Sequence, residues 1–283
     1  MKIIEQQLLG KHLQNDCEDG IVVTPDFVAV IDGSTSKTKH HINPNIKNGR
    51  YCMMLIADFI QGMNPDISLD EFCQGITTHV FKSYSSNMSG LTDRMDKSTL
   101  PESSDVIAPH KRLCASAVIY SNHHRQIWMI GDCQCMINGK LYENPKPYEE
   151  QLATIRAKAF DNCCRKQNNM LNGMFIVHDY ARDMILPELI KAMQNQNKTY
   201  AVIDGYPIYT NGIKTIEVGK EDCNIVLASD GYPFLMPTLE KSEKALQKQL
   251  DTDPFNIKTF KATKGLMQGN RSFDDRAYVR FYC

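Results

Sequence analysis

The chain has 283 residues, of which 32 are basic and 33 acidic, giving a formal net charge of -1, and 42% of it is hydrophobic. That length can bury one large core or two small ones, and so even a charge balance gives no general attraction to nucleic acid or to an anionic membrane. Its longest apolar stretches, such as 51–60, carry a charge and fall short of a membrane span, and residues 1–15 contain no signal-like apolar core, so a cytoplasmic protein with no membrane partner is expected.

Residues 1–9 and 20–31 alternate or run apolar and predict the opening strands, with Asn15-Asp16-Cys17-Glu18-Asp19-Gly20 between them. A polar loop over 34–47 holds His40, His41 and Pro44. Apolar residues at three- and four-residue spacing predict helices over 51–63 and 69–86, the second opened by a capping Ser68 and the early acids Asp70 and Glu71. A polar loop over 88–110 leads to a strand pair at 113–120 and 126–130, and a further hairpin turns at Asn138-Gly139. Helices are expected over 145–165 and 180–194, separated by an Asn-rich loop near 168. Short strands follow at 200–203, 213–218 and 223–228, then helices at 239–250 and 254–264, and a closing strand at 276–282. Strands at both ends with helix pairs between them argue an α+β fold with helix-covered sheets. The terminal strands belong together, so one domain over 1–283 is expected.

The stretch Phe27-Val28-Ala29-Val30-Ile31-Asp32-Gly33 stands out, because a buried strand stops abruptly at an acid and a glycine. A carboxylate there has a stiff support, and the glycine lets a backbone carbonyl turn beside it, which suits a hard cation such as magnesium or manganese. Asp-Gly is equally an ordinary turn pair. The pattern returns, however, with acids at the strand ends Glu18-Asp19, Gly131-Asp132, Ser229-Asp230 and Asp274-Asp275. If these ends converge, five or six carboxylates share a small volume and need cations among them. Two divalent ions about 3.5–4 Å apart could share a carboxylate and activate water for in-line attack on a phosphate ester.

These segments, in order, carry a resemblance. Glu18-Asp19, Val30-Ile31-Asp32-Gly33, Cys114-Ala115-Ser116-Ala117, Ile130-Gly131-Asp132, Leu227-Ala228-Ser229-Asp230-Gly231 and Ser272-Phe273-Asp274-Asp275 resemble the successive motifs of metal-dependent serine/threonine protein phosphatases, the PP2C-like (PPM) family. The resemblance runs from about residue 1 to 283 and implies a four-layer αββα sandwich, two antiparallel sheets packed together with helices outside. It implies two divalent cations, Mn or Mg, with Asp32 bridging them, the Gly33 carbonyl and Glu18 on the second ion, and Asp230 and Asp274 on the first. Asp132 with Asp230 resembles the holder of a third, weaker ion in bacterial-type members. Asp19, and Asp275 after the last ligand, stand behind the ligands. Asp32, Asp230 and Asp274 thereby become the catalytic acids, and metal-activated water attacks a phosphoserine or phosphothreonine of a protein substrate without a protein nucleophile. No haem, nucleotide cofactor or nucleic acid is implied.

Three positions depart from the family pattern. Gln14 stands where an arginine commonly grips phosphate, Ser34 follows the Asp-Gly where a histidine is common, and Asp275 replaces an asparagine. The metal acids are untouched, so the departures bear on substrate binding and leaving-group protonation. Lys37, Arg50 and His40 or His41 are candidates to replace the missing phosphate contacts, Arg50 being close to a helix N-terminus. The alternative is a pseudophosphatase, the same sandwich kept as a binding or regulatory module. A haloacid dehalogenase-type phosphotransferase, which Asp-Gly-Ser-Thr resembles, is set aside because its nucleophilic aspartate would fall at Val30. The ten cysteines are scattered, several in apolar runs (Cys52, Cys114, Cys223), and read as reduced, mostly buried thiols. Cys133-Gln134-Cys135 and Cys163-Cys164 lack zinc-knuckle spacing. His123-His124 is expected in an exposed turn, while Trp128, Met53, Met54 and Met184 are expected to pack in the core.

Overall fold

The computed structural model describes residues 1–85, 107–165, 170–171 and 175–283. Residues 88–106 of the expected polar loop, and 166–169 of the Asn-rich loop, lie outside them. In chain order the elements are β1 (Lys2–Leu9), β2 (Asp19–Val23), β3 (Phe27–Gly33), α1 (Asn48–Gln61), α2 (Leu69–Ser85), β4 (Ala115–Ser121), β5 (Gln126–Ile130), β6 (Gln134–Ile137), β7 (Lys140–Tyr142), α3 (Glu149–Phe160), β8 (Met170–Leu171), β9 (Phe175–Ile176), α4 (Tyr180–Met193), β10 (Ile213–Glu217), β11 (Asn224–Ala228), α5 (Leu239–Thr252) and β12 (Arg276–Tyr282).

Two five-stranded antiparallel sheets form the body, ordered β1-β12-β11-β6-β7 and β10-β5-β4-β3-β2. β3 explains the layering. Phe27, Ala29 and Ile31 point to a core shared with Ile56 and Ile60 of α1 and Phe72, Ile76 and Val80 of α2. Val28 and Val30 point the other way, into a core between the sheets with Ile225, Leu227 and Val279. A strand buried on both faces has no polar side to show, which is why its sequence runs apolar without alternation. On the far side, Met136, Val226 and Tyr278 pack against Leu246 of α5. The order helix, sheet, sheet, helix is therefore the four-layer αββα sandwich expected. Each fully buried Ile or Phe in these layers stabilises by about 1.5–3 kcal/mol.

Local signals set many boundaries. Ser68 Oγ accepts from the Glu71 amide at 3.3 Å, and Glu71 Oε2 accepts in return from the Ser68 amide at 2.9 Å, a capping box that starts α2. Asn138 and Gly139, at φ 49° and 84°, make the tight turn between β6 and β7. Trp128 is buried as expected, and nine cysteines, seven of them buried, are free thiols among the described residues.

Several expectations need correction. The run 20–31 is two strands, broken by a turn where the Thr24 amide donates to the Phe27 carbonyl. Residues 200–203 form no strand, only isolated bridges from Ile203 to Ala115 and from Tyr200 to Gln196. The helix expected over 254–264 is absent, because the Asp253 carboxylate accepts from the Ile257, Lys258 and Thr259 amides and Asn256 takes a positive φ of 53°. That side chain offers the backbone a turn in place of a helix. Met54 and Met184 are exposed rather than core, and His124 Nε2 lies within hydrogen-bond distance of the Asp66 and Ile67 carbonyls, fastening the α1–α2 connection.

The non-helical segment is held by Arg156 of α3, which is fully buried. Its Nη1 donates to the Phe255 and Ala262 carbonyls at 2.9 and 3.1 Å and its Nε to Asp179 at 2.9 Å. Replacing it by leucine removes the guanidinium that Asp179 Oδ2 and the Phe255 and Ala262 carbonyls share, while Asp179 Oδ1 keeps the Arg182 amide. Urea unfolding of Arg156→Leu is expected to show a loss of about 3–5 kcal/mol, and a loss below about 1 kcal/mol would contradict this role.

Candidate functional site

Antiparallel pairing brings one end of both sheets together. In the second sheet Asp19 opens β2 opposite Asp32 at the end of β3, and Ser116 of β4 is the next partner of Asp32. β5 ends at Ile130, so Gly131 and Asp132 follow at the same end. In the first sheet β11 ends at Ala228, ahead of Ser229 and Asp230, and Asp274 and Asp275 immediately precede β12. Lys11 follows the end of β1. Asp32, Gly33, Asp132, Asp230 and Asp274 all line one cleft of about 330 Å³. Glu18, Asp19 and Asp275 stand behind its wall, each nearly fully buried.

Two glycine positions make this end possible. Gly33 and the first turn of α1 meet backbone to backbone. A Cβ on Gly49 would lie 2.7 and 2.8 Å from the Gly33 and Ser34 carbonyl oxygens and would strike Glu18 Oε1. At Gly131, φ is 85° and a Cβ would stand 2.6 Å from that of Ser116. That close approach leaves Ser116 Oγ donating to Asp132 Oδ1 at 2.6 Å.

The acids fall into two groups. Asp132 and Asp274 are paired with lysines. Lys146 Nζ donates to Asp132 Oδ2 at 2.6 Å. Lys11 Nζ donates to Asp274 Oδ1 at 3.2 Å and stands 3.3 Å from Asp275 Oδ2, while Lys264 pairs with Asp274 Oδ2. Burial alone would raise the Asp132 carboxyl, but the Lys146 ammonium and the Ser116 hydroxyl outweigh it and hold it below the usual carboxylate range. Asp32 and Asp230, by contrast, form no ion pair among the described residues. Burial, then the charges of Asp230, Asp19 and Asp132, push the Asp32 carboxyl well up. Burial, with Asp275 and Asp230, pushes Asp19 up to about 7. Like charges facing one another across a strand pair repel in this way.

Other predicted residues divide. Lys37 lines the cleft, its ammonium pushed down to about 7 by burial and by the Arg182 and Lys264 charges. Arg50 does not reach the cleft, because its Nη1 donates to the Cys17 carbonyl at 2.7 Å. His40 and His41 are exposed outside it. Gln14 is engaged structurally, accepting from the Gly10 amide and donating to the Leu8 carbonyl. The sequence reading missed Lys11, Lys146, Lys264 and Arg182, all lining the cleft. Only Lys146 carries a faint signal, standing between Pro145 and Pro147.

The donor set is chemically suited to a hard divalent cation, being carboxylates with the Gly33 carbonyl beside them. Among the described residues, Glu18 Oε1 and Asp19 Oδ2 are buried and accept no hydrogen bond, and both residues are only 2% exposed. Buried carboxylate oxygens without donors are costly unless a cation serves them. In composition and in these orphaned oxygens, Glu18, Asp19, Asp32 and Gly33 fit such an ion. Among the described residues, no three His, Cys, Asp or Glu side chains are gathered closely enough to grip one as they stand.

No family model and no curated protein matches the chain. Among solved structures it is similar to the serine/threonine phosphatase PstP/Ppp of Mycobacterium tuberculosis, at 10% identity over 99% of this chain and 98% of that one, with a TM-score of 0.46. It is also similar to the PPM Ser-Thr phosphatase MsPP of Mycobacterium smegmatis, at 11% identity over 99% and 98% with a TM-score of 0.44. A third likeness is to Stp1 of Staphylococcus aureus, at 13% identity over 99% and 94% with a TM-score of 0.43. Among the described residues no helix is long and apolar enough to cross a membrane.

The raised Asp19 carboxyl gives a pH dependence of known sign. The native state keeps this proton up to about pH 7, whereas the unfolded chain releases it near the ordinary 3.8. Its contribution to stability therefore falls as the pH rises through that window. In EDTA, Asp19→Asn is expected to gain about 2–3 kcal/mol on the wild type between about pH 5 and pH 7. Parallel denaturant curves for the two proteins across that range would refute it.

Proposed function

We propose that this chain is a Mg/Mn-dependent phosphomonoester hydrolase of the PP2C-like kind, a single cytoplasmic domain over 1–283 acting on phosphoserine and phosphothreonine in protein substrates. One observation carries the reading: Asp32, Asp132, Asp230 and Asp274, dispersed over most of the sequence, line the same cleft. The motif order in the sequence supports it independently.

In this reading Asp32, Asp230, Glu18 and the Gly33 carbonyl hold the cation, with Asp19 and Asp275 behind them, and Asp274 and Asp132 complete the acid wall. A bound divalent ion supplies Lewis-acid activation of water and neutralises charge on the phosphoryl oxygens. The chain's own residues do the rest. Thr35 Oγ1 donates to Glu18 Oε2 and orients that carboxylate. The Asp275 carboxylate accepts from the Lys11 and Glu18 amides, at 2.7 and 3.2 Å, and ties the two strand ends together. Lys37 and Arg182 line the same cleft, where positive charge would draw a phosphate monoester toward the acids. Protonated Lys37 is the stronger phosphate ligand, so its contribution fades as the pH rises above about 7.

A binding or regulatory module without turnover is the second reading. The lysine pairing of Asp132 and Asp274 favours it, as does the structural use of Gln14. The two separate on one assay. The hydrolase reading expects p-nitrophenyl phosphate to be turned over only with Mn²⁺ or Mg²⁺, and Asp32→Asn to cut the rate by about 100-fold or more. Divalent-cation binding by a folded wild type that shows no turnover would favour the module.

A further inference from the structure

Three of the lysines lining the cleft, Lys11, Lys146 and Lys264, stand on backbone that is itself held in place. Lys11 has both backbone groups fixed, its amide donating to Asp275 Oδ1 at 2.7 Å and its carbonyl accepting from the Arg271 amide at 2.7 Å. Lys146 stands between Pro145 and Pro147, and the neighbouring Asn144 donates to the Gly131 and Gly212 carbonyls at 3.1 and 3.0 Å. Lys264 sits in the segment pinned by Arg156. Its own carbonyl accepts from Asn256 Nδ2 at 3.2 Å, and the adjacent Thr263 carbonyl accepts from Arg182 Nη1 at 2.6 Å. Flexible side chains on fixed backbones lose less entropy on pairing than they would from mobile loops.

Every carboxylate oxygen of Asp132 and Asp274 already has a partner. Asp132 accepts from Ser116 on Oδ1 and from Lys146 on Oδ2. Asp274 accepts from the Asp275 amide and Lys11 on Oδ1, and pairs with Lys264 on Oδ2. A divalent ion at either carboxylate would meet an ammonium already in place and be repelled by it. Glu18 Oε1 and Asp19 Oδ2, at the same end of the sheets, have no donor among the described residues. The protein's own cations thus pair with Asp132 and Asp274, whereas on the other side the nearest ammonium, Lys11 Nζ, stands 3.8 Å from Glu18 Oε2 and leaves Oε1 without a donor among the described residues.

We propose that Lys146 and Lys264, with Lys11 in support, fill at Asp132 and Asp274 the places that divalent cations would otherwise take, confining any divalent ion to the Glu18, Asp19, Asp32 and Asp230 side. This rests on the proposed function only for the presence of an ion on that side. The lysines serve as positioning residues, fixing the acid wall whether or not an ion is bound.

Calorimetric titration of the full chain with MnCl₂, with the electron paramagnetic resonance signal of bound Mn²⁺ as a second readout, tests the assignment. The wild type is expected to take one ion, and Lys146→Met and Lys264→Met each one more, with dipolar broadening between neighbouring ions. Lys146→Arg and Lys264→Arg, which keep the charge, should stay at one. Circular dichroism checks folding, and Lys146→Gln and Lys264→Gln replace any methionine variant that fails it. A wild type that takes two or more ions overturns the assignment, as do neutral variants that bind no more than the wild type. A wild type that takes none, while a neutral variant takes one, upholds the lysine assignment and overturns the metal-dependent hydrolase. No binding in any of them overturns both.

Discussion

Carboxylates brought together out of water repel, and the end of the molecule where both sheets open is built around that repulsion. Asp19 and Asp32 face each other across β2 and β3, with Asp132 and Asp230 close enough for their charges to raise the Asp32 carboxyl. No fold collects such groups without either cations or protons to offset them. This chain uses ammonium groups for part of the load and, among the described residues, leaves one buried oxygen each of Glu18 and Asp19 without a donor.

Much of the remaining architecture can be understood as support for that end. The doubly buried β3 gives Asp32 an unyielding base, its alternate residues locked into two different cores. The bare backbones of Gly33 and Gly49 let α1 press against the strand end beside Glu18. On the opposite side, Arg156 and Arg182 hold the segment after α5 against α3 and α4, and so carry Lys264 to Asp274. A segment with few regular backbone bonds of its own keeps its shape because buried guanidinium groups satisfy its carbonyls.

The balance between fixed lysines and unpaired acids bears directly on chemistry. An ammonium neutralises a carboxylate but cannot polarise water as a divalent ion does. A cleft with more of the first and less of the second gives up catalytic power while keeping charge balance and an anchored shape. Lys37 and Arg182 line the same cleft. Under the proposed function, a hydrolase and a binding or regulatory module would differ by the number of cations the acids admit, not by the frame that displays them.

From the sequence alone came the layers and the acids. Buried strands declare themselves by apolar runs, amphipathic helices by their spacing, and the strand-end acids by sitting where those runs stop, since each of these signals is local. The helix expected over 254–264 failed because a single side chain, Asp253, outbid the helical pattern for three amides. Arg50 had the right charge near a helix start, yet turned to the Cys17 carbonyl. Lys11 and Lys264 carried no mark, and Lys146 only its flanking prolines, all three being lysines in connecting segments. Which amine meets which carboxylate depends on long-range pairing of strand ends and on guanidinium pins far away in the chain, and only tertiary packing decides that.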